Sequence, residues 1–191
     1  MKTVEKLETL SSSHQILHAF NIRPNIRFEA QGDNEQVILV VRAHPITQIP
    51  WLLNSIVFIA FFYYLNFFLP SFLNLGQIIF VNLFALATIS AYIWFNFLSW
   101  YFNVGIVTNQ RVVDVDLQAI VYREVTYANL NKIEDVTSKG GGFLASIFNY
   151  GNVFIQTAGT EVNVEFMDIP RPAEVSRIIN NLIYVKKNGY Q

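Results

Sequence analysis

The chain has 191 residues, is 52% hydrophobic and 14% charged, and carries a formal net charge of −1. A typical soluble domain is about 25% charged, so apolar sequence is in excess. The balance of eight Lys/Arg and nine Asp/Glu from Tyr101 onward excludes the basic surface that nucleic acid requires, and the absence of cysteine excludes disulfides and thiolate chemistry, which fits a cytoplasmic domain.

Residues 1–36 read as a polar N-terminal segment, partly helical. Val4, Leu7 and Leu10 recur at helical spacing, and Ile16, Leu17 and Phe20 follow a serine run. This pattern suits a short amphipathic helix or a frayed terminus. It holds no apolar core, so no secretory signal peptide is expected. His14 and His18 stand at i, i+4 without a third ligand nearby, which favours a solvated face over a metal site. Residues 37–49 read as a juxtamembrane extended segment. Val37–Val41 is β-branched and apolar, Gly32-Asp33-Asn34 precedes it and His44-Pro45 closes it. One option for this strand is an edge of the sheet that follows.

From Ala43 to Gln110 there is no Asp, Glu, Lys or Arg. Two long apolar segments, Pro50–Leu69 and Gln77–Trp100, flank the break Pro70–Gly76. About 20 helical residues cross a hydrocarbon layer of ~30 Å, so residues 50–101 are expected to form a transmembrane hairpin. Arg23, Arg27 and Arg42 precede it, and Arg111, Arg123 and Lys132 follow it, while the connecting loop is uncharged. Both termini are therefore expected to be cytoplasmic, with Trp51, Trp94, Trp100 and Tyr101 at one interface.

Four asparagines interrupt the spans. Asn54 and Asn96 are expected at one depth, and Asn66 and Asn82 at another. Asn82 and Asn96 share a helix face with Ile89 and Ile93, since fourteen residues return to within ~40°. Asn54 and Asn66 are twelve apart, about 120°, so at most one interhelical Asn pair is direct. Such a bond contributes ~0.6 kcal/mol, up to ~2; the bland alternative is that these amides meet water at the headgroups. Ala87 and Ala91 offer close packing, within the hairpin or between copies. No charged residue lines the spans, so a pore would require an oligomer.

Residues 102–188 read as a compact domain. The expected strands are Val104–Thr108, Arg111–Leu117, Ile120–Thr126, Lys132–Ser138, Val153–Thr157 and Glu161–Phe166, with period-two alternation. In Arg111–Leu117, Val113, Val115 and Leu117 share one face, while Asp114 and Asp116 share the other with Val112. These carboxylates are expected on a solvated strand. Gly140-Gly141-Gly142 opens a loop, Phe143–Phe148 a helical turn, and Pro172 begins an amphipathic helix that Asn188-Gly189 stops.

The segments VTNQRVVDVD, REVTYANLNKIEDV and GGGFLASIFNYGNVFIQTAG, followed by a Pro-flanked terminal helix, resemble the bacterial pleckstrin-homology-like, membrane-flanked domain family (YdbS-like) over about residues 101–187. The resemblance implies a membrane-anchored α+β fold: a two-helix hairpin, then a bent, roughly seven-stranded PH-like antiparallel sheet or open barrel capped by the C-terminal helix. It implies no reaction. Many eukaryotic pleckstrin-homology domains bind phosphoinositides through a basic cluster at the first hairpin; the corresponding hairpin here sets Arg111 beside Asp114 and Asp116.

The candidate binding surface is Arg111, Arg123, Lys132, Lys139, Phe143, Leu144 and Phe148. The last three are expected in a core, in the bilayer or against a partner. No Ser-His-Asp or Cys-His set assembles, so no enzyme and no cofactor is expected. The functional expectation is an interaction or scaffold module at the cytoplasmic face of a prokaryotic plasma membrane. It would bind the lipid bilayer and a protein partner, or a second copy, and no nucleic acid. The alternatives are a sensor of anionic headgroups or membrane state, and a subunit of a transport or channel assembly. The short link from Trp100 to Val104 is expected to hold the sheet near the bilayer.

Overall fold

A computed structural model describes residues 19–24, 28, 31–118, 122–158 and 163–189. The helix expected around Val4, Leu7 and Leu10, and the pair His14/His18, lie outside the described residues. The chain divides into two compact units: Pro45–Trp100, and the residues before and after it together.

In the first unit a 3₁₀ turn, Pro45–Gln48, leads into helix α1, Ile49–Leu65. A second 3₁₀ turn at Leu69–Ser71 precedes helix α2, Leu75–Phe102. Helix α2 starts two residues before the expected span. The cause is a capping box, in which Asn74 Oδ1 accepts from Gln77 N–H and Gln77 Oε1 accepts from Asn74 N–H, each at 3.0 Å. The windows Pro45–Ser71 and Leu75–Phe102 are long and apolar enough to cross a membrane. Within these two helices only Ser55 and Ala85 are buried; large apolar side chains such as Phe61, Phe80 and Phe84, and Phe67 in the connection, face outward. Ala87 and Ala91 are exposed, so close packing inside the hairpin falls to Ser55 and Ala85 instead.

The second unit is a two-sheet sandwich with a helix. Strands β1 (Phe20–Ile22), β2 (Val37–Val41), β3 (Val104–Thr108), β4 (Arg111–Gln118) and β5 (Tyr122–Asn129) form one antiparallel sheet in that order. Strands β6 (Ile133–Lys139), β7 (Tyr150–Thr157) and β8 (Val164–Pro170) form the other. Helix α3 (Phe143–Phe148) lies between β6 and β7, and α4 (Pro172–Asn188) closes the chain. The resemblance implied about seven strands in one bent sheet; the described residues form eight in two sheets, because β1 and β2 come from before the hairpin. Phe20 is strand rather than helix: β2 offers it a ladder opposite Val41, and pairing overrides the local helical spacing.

The register sets the core. Leu39 faces Val107, Val41 faces Gly105, and Val107 faces Val112. These side chains, with Ala128, meet Val153, Ile155, Val164 and Phe166 from the other sheet and Val175, Ile178 and Ile179 from α4. Gly105 is required here: a Cβ would stand 2.5 Å from Phe166 Cε1 and 2.8 Å from Val41 Cγ2. A smaller cluster, Val37, Val40, Ile106 and Val113, fills the opposite face of the first sheet beneath Phe28, Val115 and Val125. Strand β8 runs on to Pro170, beyond the expected end at Phe166, with Asp168 at φ +52° absorbing a bulge.

Candidate functional site

Arg111 begins β4, and its alternation places it on the face of Val113 and Tyr127. There its Nε and Nη2 donate to the two carboxylate oxygens of Glu35, each at 2.9 Å. Glu35 is 4% exposed. The Thr108 hydroxyl lies 2.8 Å from Glu35 Oε1 and accepts from the N–H groups of Gln110 and Arg111. The guanidinium also lies 4.9 Å over the Tyr127 ring and 5.7 Å over Phe28. Burial alone would push the Glu35 carboxyl up; the Arg111 guanidinium, the Gly32 N–H and the Thr108 hydroxyl outweigh it, so Glu35 titrates below its usual range. Arg111 thus ties the β3–β4 turn to the loop before β2. It also stands at the end of β3 away from Phe102, about 20 Å at ~3.3 Å per residue.

Of the remaining cations, Lys132 and Lys139 are set apart along one strand. Lys132 precedes β6 and Lys139 ends it, which separates them by about 23 Å of extended strand. Lys139 Nζ lies 4.7 Å over the Phe154 ring. Arg123 pairs with Leu117 in the β4–β5 ladder, and its side chain lies outside the described residues. Lys132 and Lys139 therefore stand at opposite ends of one strand.

Asp114 and Asp116 correct the expectation of a solvated strand. They sit on the same face as Val112, and that face is the inner one, because Val107, Val112 and Gly105 line the main core. Asp114 lies opposite Gly105 and Thr126, and Asp116 opposite Glu124. Burial first, then Asp116, with Glu124 and Glu165 adding, push the Asp114 carboxyl from 3.8 up to about 7. Burial and Glu124 push Asp116 up as well. Among the described residues, no group of three or more His, Cys, Asp or Glu side chains is placed to hold a metal ion.

Helix α3 follows the glycine run, and Gly142, its N-cap, takes φ +88°, which L side chains rarely adopt. Its polarity is inverted for a surface helix. Ala145 is buried, whereas Phe143 is 80% exposed, and Leu144, Ile147 and Phe148 are exposed too. Phe148 and Tyr150 lie against the His44 ring, with centroids 6.3 and 5.6 Å away. His44 N–H donates to Asp168 O at 2.7 Å, and burial among these groups lowers its pKa.

In the hairpin unit, Asn66 and Asn82 meet directly. Asn66 Nδ2 donates to Asn82 Oδ1 at 2.8 Å and Asn82 Nδ2 to Asn66 Oδ1 at 2.7 Å. Each amide also donates to its own helix, to Phe62 O and Ile78 O, so both N–H groups of each are satisfied. Asn96 donates to Tyr92 O instead, and Asn54 is exposed.

Three features escaped sequence reasoning. Glu35 follows Asp33 in a polar turn, 76 residues from its partner, and nothing local marks it. The inward aim of Asp114 depends on the β3–β4 register, although the alternation with Val112 hinted at it. Arg42 donates from Nε to Tyr101 O at 3.0 Å and lies 4.9 Å over that ring, which joins the chain before the hairpin to the chain after it.

A family model described as "Bacterial PH domain" matches residues 46–183 of the chain. No curated protein and no solved structure matches significantly.

Proposed function

This chain belongs to the bacterial PH domain family, and from that premise we propose that it is a two-pass membrane protein whose PH-like unit is displayed at the cytoplasmic face as an interaction module, acting by binding. The family is not a known catalytic one.

The observation that carries the reading is the pairing of β2 with β3. Strand β2 precedes the apolar helices and β3 follows them, yet they share one ladder, Leu39 with Val107 and Val41 with Gly105. A ladder does not form through a bilayer, so both flanks lie on one side of it. The outward-facing Phe61, Phe67, Phe80 and Phe84 suit lipid, since a patch of this kind is untenable in water. Arg23, Arg27, Arg42, Arg111 and Arg123 flank the helices, which supports the cytoplasm of a prokaryotic cell as that side.

The binding edge is β5, the last strand of the five-stranded sheet. Among the described residues it pairs with β4 alone, and such an edge suits addition of a strand from a partner protein or a second copy. Membrane anchoring raises effective concentration, so a weak contact suffices.

The test is photo-crosslinking of the full chain in its native membrane, with the reactive residue at Tyr127 or Asn129 and a control at Asn180 on α4. A discrete adduct from β5 positions alone supports the module. Monomer at every position, with solute flux from purified protein in vesicles or salt-sensitive binding to anionic vesicles, contradicts it.

A further inference from the structure

We propose that α3 is an apolar wedge seated in the interfacial layer of the bilayer, giving the cytoplasmic unit a second attachment besides the hairpin. The inference rests on the hairpin being inserted. Three independent features point to lipid as the occupant.

The first is the inverted polarity. At ~100° per residue, Phe143, Leu144, Ile147 and Phe148 occupy one arc of about 140°, and Ala145 lies opposite it. The large side chains are exposed and the small one is buried, the reverse of what water selects.

The second is charge. From Val136 to Thr160 the chain has one charged residue, Lys139, and no acid. An interfacial helix tolerates a flanking cation and disfavours carboxylates near anionic lipid.

The third is position, fixed by contacts inside the folded unit. Phe148 and Tyr150 lie against His44. Pro45, the next residue, opens the first apolar window long enough to cross a membrane. The wedge therefore packs on His44, the residue that immediately precedes that window in the chain. Arg111 stands at the opposite end of β3. Gly142, at φ +88°, turns the chain from the end of β6 into α3 in a conformation that L side chains rarely adopt.

The chain has no cysteine, so single cysteines can carry a fluorophore without background. The full-length chain, reconstituted in phosphatidylcholine nanodiscs, is labelled in turn at Phe143→Cys, Leu144→Cys, Lys187→Cys and Phe84→Cys. Quenching is measured with shallow nitroxide lipids and with aqueous iodide. The proposal expects labels at 143 and 144 to be quenched several-fold more by nitroxide lipid than the label at 187, and to be shielded from iodide. It expects this to be insensitive to salt, because insertion is apolar. Iodide quenching at 143 and 144 equal to that at 187 overturns the wedge. Shielding from both quenchers also overturns it, and assigns the face to a protein interface. The label at Phe84, which is 66% exposed on α2, reads hairpin insertion separately. Nitroxide quenching at 84 without quenching at 143 removes the wedge and leaves the anchor, whereas loss at both removes the anchor.

Discussion

Replacing Asp114 by Asn should stabilise the folded sheets at neutral and alkaline pH and leave them unchanged in acid. In the fold, burial, Asp116, Glu124 and Glu165 raise the Asp114 carboxyl from 3.8 to about 7. A carboxyl raised in this way binds its proton more tightly folded than unfolded. The stability that follows is fully present below pH 3.8 and is lost as pH rises through about 7. The interval spans about 3 pH units, and about 1.4 kcal/mol per unit sets about 4 kcal/mol as the ceiling. Asp114 keeps some contact with water, and Asp116 titrates with it, so the two share the penalty. We expect the Asp114→Asn variant to gain about 1–2 kcal/mol at pH 8 and nothing at pH 4. The three tryptophans, Trp51, Trp94 and Trp100, all lie in α1 and α2, so their fluorescence is blind to the sheets. Thermal unfolding in nonionic detergent followed by far-ultraviolet circular dichroism is the suitable assay. A gain from Asp114→Asn that is constant across pH, or a variant less stable than wild type at pH 8, would refute the inward placement of Asp114.

Arg111→Met leaves the Glu35 carboxylate buried without its cation; the expected loss is about 3–5 kcal/mol at pH 7. With Arg111 gone, burial raises the Glu35 carboxyl, so the loss shrinks with falling pH as Glu35 takes up a proton in the variant before it does in wild type, and the same melts should show this pH dependence. Gly105→Val drives a side chain into Phe166 and should cost about 1–3 kcal/mol, partly recovered in the Gly105→Val/Phe166→Leu double variant. A double-mutant cycle on Asn66 and Asn82, read by hairpin unfolding in mixed micelles, should give a coupling of about 0.6 kcal/mol and no more than ~2. A fragment beginning at Tyr101 lacks β1 and β2, exposes the β3 edge and strands Arg111 without Glu35; it should aggregate or exchange its β3 amides rapidly, where the full chain protects them.

The periodicity read well wherever one physical rule dominated. The uncharged run exposed both long helices, and alternation marked β3, β4, β6 and β7, because a half-buried strand must repeat every two residues. The terminal helix announced itself through Pro172 and the spacing of Val175, Ile178 and Ile179. Long-range pairing was not legible. Val37–Val41 looks like a strand, but nothing in it says that its partner is Val104–Thr108, beyond the hairpin, with Val41 opposite Gly105 and Val37 opposite Thr108. Phe20–Ile22 is too short to carry a pattern of its own. Glu35 and Arg111 are unremarkable until the β2–β3 ladder brings them together, and the β3–β4 register is what turns Asp114 toward the core. The outward aim of Phe143 and Leu144 also depends on which face of α3 the sheet covers, and Ala145 claims it.

The central claim is that the residues on both sides of the hairpin share one side of a membrane which the hairpin crosses twice. Single cysteines at Asp33, Ser71 and Lys187, each at an exposed position, can be challenged with a membrane-impermeant maleimide in intact cells and in inverted vesicles. The account predicts labelling of Ser71→Cys in intact cells and of Asp33→Cys and Lys187→Cys only in inverted vesicles. Labelling of Asp33→Cys and Lys187→Cys from opposite sides, or of all three from the same side, would contradict it.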